Sequence, residues 1–182
     1  MVHHTKLMKD DYKTLIRLLF DICLLKKGPQ DLNLTEGTKK GVFICYLLAG
    51  TGLLSIDGPL DEAIIKAFIE ALMLMFFMFS LLAFYSFPKR FGQSMTAIFG
   101  TGALLSVISL PFMLMLNVLH EKQSAAGLVG LAVFLLVCWS FAVMGHIIRE
   151  ATQTSLTLSL LLTFCYLYLS YQFINLIYPL AA

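Results

Sequence analysis

The chain has 182 residues, 59% of them hydrophobic, with a mean hydropathy of +0.84 and a formal net charge of only +2. A soluble domain is excluded, because apolar runs of the length present here would leave no aqueous surface. The basic residues of the first forty positions are interleaved with acids, which argues against a nucleic-acid-binding patch. None of the four cysteines shows C-x-x-C spacing, so no zinc site, redox pair or disulfide framework is expected.

The amino-terminal segment carries His3, His4, Lys6 and Lys9, and its apolar run is interrupted by Arg17 and Asp21, so no cleavable signal is expected. Spacing predicts a helix from about Lys9 to Lys26. Leu15, Leu18, Leu19, Ile22 and Leu25 share one face, and Lys9, Lys13, Arg17 and Asp21 form a charged stripe at four-residue intervals. Such an amphipathic helix either lies in the membrane interface or packs its apolar face on the chain's own spans or on a partner. Lys9, Lys13, Arg17, Lys26 and Lys27 are the candidate contacts to anionic lipid or partner. Gly28-Pro29 is expected to end the helix, since proline disfavours helical geometry before it.

Five apolar stretches follow, at about Lys40–Ile56, Ala63–Phe87, Gln93–Leu119, Ala125–Ile148 and Ser155–Tyr178. The first is marginal in length, and the others exceed the ~20 residues that cross a ~30 Å hydrocarbon core. If all five span, 11 of the 13 basic residues fall on one side, leaving Lys66 and Lys122 on the other. The bias places the amino terminus in the cytoplasm and the carboxyl terminus outside. The expected fold is therefore all-α: a polytopic membrane bundle of five transmembrane helices with an amino-terminal amphipathic interfacial helix. Residues 1–39 form the cytoplasmic helix and connector, and residues 40–182 the transmembrane domain. Short connections make neighbouring spans antiparallel; in the first of them Asp61 is expected to cap the second span.

Few residues could carry chemistry. Glu70 lies about two turns into the second span, and Glu62, Lys66 and Glu70 share a face at four-residue spacing. An ionisable group at membrane depth suggests a proton relay or ligand counter-charge. The plainer expectation is that Lys66 neutralises Glu70. Pro111 should bend the third span, with Ser106 and Ser109 supplying hydroxyls to freed carbonyls. Small residues recur at four-residue spacing in the third and fourth spans, including Thr96 with Gly100, Gly102 with Ser106, and Ala126 with Gly130. Ser155, Ser159 and Thr163 repeat the spacing in the fifth. They are expected mainly as seams within the bundle. His146 and Glu150 are expected at headgroup level with Trp139 buried above them, and they lack further ligands for a metal site. No nucleophile stands beside a base, so catalytic residues, cofactors and metals are not expected.

Three blocks resemble the Yip family of five-span membrane proteins. They are the amino-terminal helix and proline, Leu15 to Pro29; the lead Phe91-Gly92-Gln93-Ser94-Met95-Thr96-Ala97 with the later Ser109-Leu110-Pro111; and Cys138-Trp139-Ser140 through Gly145-His146 to Thr152. The resemblance implies a five-span domain without known catalysis that acts in membrane organisation through partners. Without the long amino-terminal region of eukaryotic members, the chain looks more like a bacterial relative, which implies the cytoplasmic (inner) membrane. The expected function is that of a non-enzymatic scaffold or accessory subunit contacting lipid and other membrane proteins. The alternative is a small transporter or channel, expected to be a homo-oligomer, using Glu70 and a hinge at Pro111.

Overall fold

Inside hydrocarbon each backbone N–H and C=O must be satisfied within the chain, so long apolar segments resolve as helices. The computed structural model describes the backbone of residues 2–32, 35–56, 58–121 and 127–178, and within these the side chains from residue 13 onward except 120 and 121. Among the described residues the regular structure is all helical: α1 Val2–Cys23, α2 Glu36–Leu54, α3 Leu60–Phe84, α4 Phe91–Glu121, α5 Gly127–Thr152 and α6 Leu156–Ile177. Single 3-10 turns, Pro29–Asp31 and Pro88–Arg90, precede α2 and α4.

Four helices, α3 to α6, are long and apolar enough to cross a membrane. Four of the five expected spans meet this measure of length and composition, and α2 does not. The difference lies in α2, where Glu36, Lys39 and Lys40 occupy the first five positions. Only Gly41–Leu54 remain beyond them, about 21 Å of helix at 1.5 Å per residue.

The end of α1 differs from expectation as well. The helix stops at Cys23, ahead of Gly28-Pro29. Leu25 takes a left-handed conformation with φ 59°, its N–H donates to the Ile22 carbonyl, and the Lys26 N–H donates to the Asp21 carbonyl. This is the Schellman arrangement, here built on leucine where glycine is usual. The pattern recurs after α3, where Ser86 has φ 63° and the Phe87 N–H returns to the Leu82 carbonyl. The start of α3 is capped by neither Asp61 nor any other side chain: Pro59 is its N-cap, and Asp61 stands in the first turn.

Packing places α2, α4, α5 and α6 side by side in that order, and α3 touches both α2 and α6, closing a ring. Within it α2 runs parallel to α4. Lys39 lies over Gly92, Tyr46 over Gly102 and Gly52 beside Leu110, and the Asn117 amide donates to the Ile56 carbonyl at 3.4 Å. Both ends of α2 thus sit beside residues 92 and 117 of a helix long enough to span.

Burial is uneven along α4. Every residue from Ser94 to Thr101 is buried, whereas none from Leu104 to Leu119 is. The buried stretch owes its cover to small residues. A Cβ on Gly100 would meet the Leu19 side chain at 2.5 Å, so α1 seats itself directly on the α4 backbone. On the neighbouring seam a Cβ on Gly145 would meet Leu160 at 2.6 Å and the Thr163 hydroxyl at 3.6 Å, and Ser159 and Thr163 of α6 are both buried. The small-residue pattern therefore serves packing within the chain at Thr96, Gly100, Ser159 and Thr163. Gly130 meets nothing, and its expected partner Ala126 lies outside the described residues, as do Asp57 and Lys122.

Candidate functional site

Glu70 occupies the middle of α3, ten residues, or about 15 Å, from its first residue. Lys66 does not neutralise it. The Lys66 ammonium binds Glu62 at 3.0 Å and lies 4.9 Å from the centre of the Tyr178 ring. Among the described residues neither an ion pair nor a hydrogen bond reaches the Glu70 carboxylate. The pairing stops at Glu62 because a lysine near the helix end reaches toward the interface more cheaply than toward the apolar interior.

Glu70 lines two partly open cavities. One, of about 120 Å³, extends toward Ile98, Met144 and Tyr166. The other, of about 380 Å³, extends toward Leu53, Met113 and Val133 and includes the Ser106 and Ser109 side chains. Tyr46, Glu70, Gly102, Leu105 and Ser140 line both. Each helix of the ring contributes a wall residue: Tyr46 from α2, Glu70 from α3, Gly102 from α4, Ser140 from α5 and Tyr166 from α6.

The aromatic residues of this centre are held by packing. The Tyr46 ring packs tilted against Phe99, with ring centres 4.7 Å apart, and fills the gap left by Gly102, where a Cβ would lie 2.9 Å from it. Tyr166 packs on Phe77 at 5.0 Å and points its hydroxyl at the Glu70 carbonyl, 3.5 Å away. Sequence reasoning missed both tyrosines. Their signal was position: tyrosine concentrates at membrane interfaces, yet these two stand ten residues into their helices. Thr101 donates its hydroxyl to the Ala97 carbonyl at 2.8 Å, so its polarity is spent within α4. Pro111 lies exposed in α4, which continues through it as one helix. The Ser109 hydroxyl returns to the Ser106 carbonyl at 3.0 Å; the carbonyl that the proline frees, four residues back, belongs to Val107.

A second polar arrangement binds the amino-terminal segment to α5. Trp139, His146 and Glu150 are spaced by seven and four, which puts them on one face of the helix. The Trp139 indole donates to the Cys23 carbonyl at 3.1 Å. His146 Nε2 donates to the Lys27 carbonyl at 2.9 Å, and Gln30 donates to Glu150 at 3.2 Å. Trp139 is thus 45% exposed instead of buried, and His146 and Glu150 hold protein. Nearby, Arg90 donates to the Glu150 and Ala151 carbonyls, both at 3.3 Å, satisfying two of the orphan acceptors at the end of α5.

Among the described side chains of α1 the buried ones are Leu15, Leu19, Ile22 and Cys23. Ile16 and Phe20 flank that face in the open, followed around the helix by exposed Lys13 and Arg17. Lys26 and Lys27 are exposed, with Lys27 3.4 Å from Asp21. Lys9 lies within α1, and its side chain is outside the described residues. Among the described residues no group of three metal-ligating side chains comes together.

No protein-family model matches the chain, and no match is found among curated proteins or solved structures.

Proposed function

We propose that the protein is a small transporter or channel in which Glu70 carries a proton or a small cation across the membrane through the cavity at the centre of the helix ring. The observation that carries this reading is Glu70 itself: its carboxylate has no described ion pair, the residue stands at mid-helix, and it lines two cavities. An ionised carboxylate at such depth costs several kcal/mol unless a positive charge accompanies it. A proton or cation supplies that charge. The parallel course of α2 and α4 supports counting α2 as a fifth, short span. Five spans with the basic residues inside put the amino terminus in the cytoplasm, and a bacterial inner membrane suits that orientation. Pro111, in the open half of α4, is the hinge this reading uses.

The test is flux in reconstituted liposomes, with an entrapped pH dye and an imposed potassium potential. Wild type conducts protons or one of a panel of monovalent cations, and Glu70→Gln abolishes conduction while expression and size-exclusion behaviour stay unchanged. Wild-type vesicles as tight as empty ones to protons and to the whole panel would refute the proposal.

The exposed flank of α1 favours a second reading, that of an accessory subunit or scaffold held to anionic lipid or to another membrane protein. Ile16 and Phe20 present an apolar edge beside Lys13 and Arg17, the arrangement an interfacial helix uses. Reversing Lys9, Lys13 and Arg17 to acids weakens lipid binding or co-purification without blocking insertion. Unchanged lipid binding together with an unchanged set of co-purifying proteins rejects it.

A further inference from the structure

At the end of the bundle that carries Lys39 and Arg90, a groove of about 310 Å³ opens between α2, α3 and α4. Its walls are apolar, with Phe43, Met75 and Phe91 among them, and Lys39 and Lys40 stand at its mouth. Glu36 joins them there. Its carboxylate accepts a hydrogen bond from Lys39 at 2.6 Å, which holds the carboxyl below its usual range. Lys39 and Glu36 therefore cancel. Lys40, exposed and without an ion pair among the described residues, leaves one net positive charge over an apolar trench.

We propose that this groove binds one anionic phospholipid, the headgroup phosphate against Lys40 and Lys39 and an acyl chain along Phe43, Met75 and Phe91. Charge complementarity selects this occupant. A phosphatidylglycerol carries one net negative charge, matching the one uncompensated lysine. A zwitterionic lipid brings an ammonium of its own next to Lys40, which offsets the attraction of its phosphate. The apolar walls give the lipid a second point of attachment that a free phosphate lacks. This site is independent of the Glu70 cavity, since the two have no lining residue in common.

The experiment is native mass spectrometry of the whole protein, released from mild detergent containing equal phosphatidylglycerol and phosphatidylethanolamine. Wild type retains one phosphatidylglycerol in preference to phosphatidylethanolamine. Lys40→Gln lowers that preference about five-fold, while Lys89→Gln, which removes one exposed charge from the same end outside the groove, lowers it less than about two-fold. Met75→Trp, which fills the trench and keeps the charges, lowers retention of both lipids. Excess glycerol 1-phosphate leaves the bound lipid in place. The proposal is overturned by equal retention of the two lipids in wild type, by equal losses for the Lys40 and Lys89 variants, or by displacement with glycerol 1-phosphate. Because Lys40 and Lys89 are both exposed, neither variant threatens folding.

Discussion

The far half of α4 is the more apolar of the two, yet it is the near half that is buried. From Ser94 to Thr101 the helix is buried on all sides, under α1, α2 and α5; from Leu104 to Leu119 no residue is buried. The same divide crosses α5, whose buried residues all fall between Val143 and Thr152. The contrast teaches that hydrophobicity alone does not build a core inside a membrane, where lipid is as apolar as any side chain. Close approach does, and it needs small residues and an additional element to fill the space. Gly100 and Ala97 supply the first, α1 the second. The far half has neither glycine nor alanine and opens into the larger of the two cavities at Glu70.

If this division is right, the largest effect comes from detaching α1. Leu19 is 4% exposed and rests on Gly100, so Leu19→Ala should cost about 2–5 kcal/mol, lost transfer energy plus cavity. Thermal unfolding in detergent measures it, and a loss below about 1 kcal/mol would mean that α1 is not part of the core. A smaller loss follows from crowding the same contact. Gly100→Ala places its methyl group against the flexible end of Leu19 and should cost about 1–3 kcal/mol.

Alkaline stability sharpens the comparison from another side. Burial pushes the Cys23 thiol from near 9.0 up to about 11. The unfolded chain gives up this proton first, so the folded state loses stability as pH rises from about 9 toward about 11. The difference between wild type and Cys23→Ala across that window isolates the effect, and parallel curves would show that Cys23 is not held in a dry site. The smallest effect belongs to the open half: Val107→Ala, at a residue 60% exposed, should shift stability by no more than about 0.5 kcal/mol. A loss like that of Leu19→Ala would erase the distinction between the halves.

Much of the organisation was legible in the chain. The helical class, the placement of four membrane-length helices, the small-residue seam at Thr96 and Gly100, and Glu70 as the acid to question all follow from runs and spacings. The ends were less legible. Leu25 and Ser86 terminate helices in left-handed conformations that glycine usually marks, so no residue type announced them. The Lys66–Glu70 pairing was reasonable at four-residue spacing, but Glu62 offered the same lysine an equal spacing on the interfacial side. Spacing cannot choose between two such partners.

By itself the sequence determined that this chain is helical and apolar over most of its length, because composition and backbone satisfaction in lipid allow little else. It also determined which end of the bundle is basic. Only the tertiary structure decided that Glu70 faces a cavity walled by all five ring helices, with Tyr46 and Tyr166 beside it and Lys66 turned away. It likewise decided that α1 completes the core instead of standing apart. The physical reason is the same in both cases. Periodicity says which residues share a face, while what that face meets depends on how helices distant in sequence pack against one another.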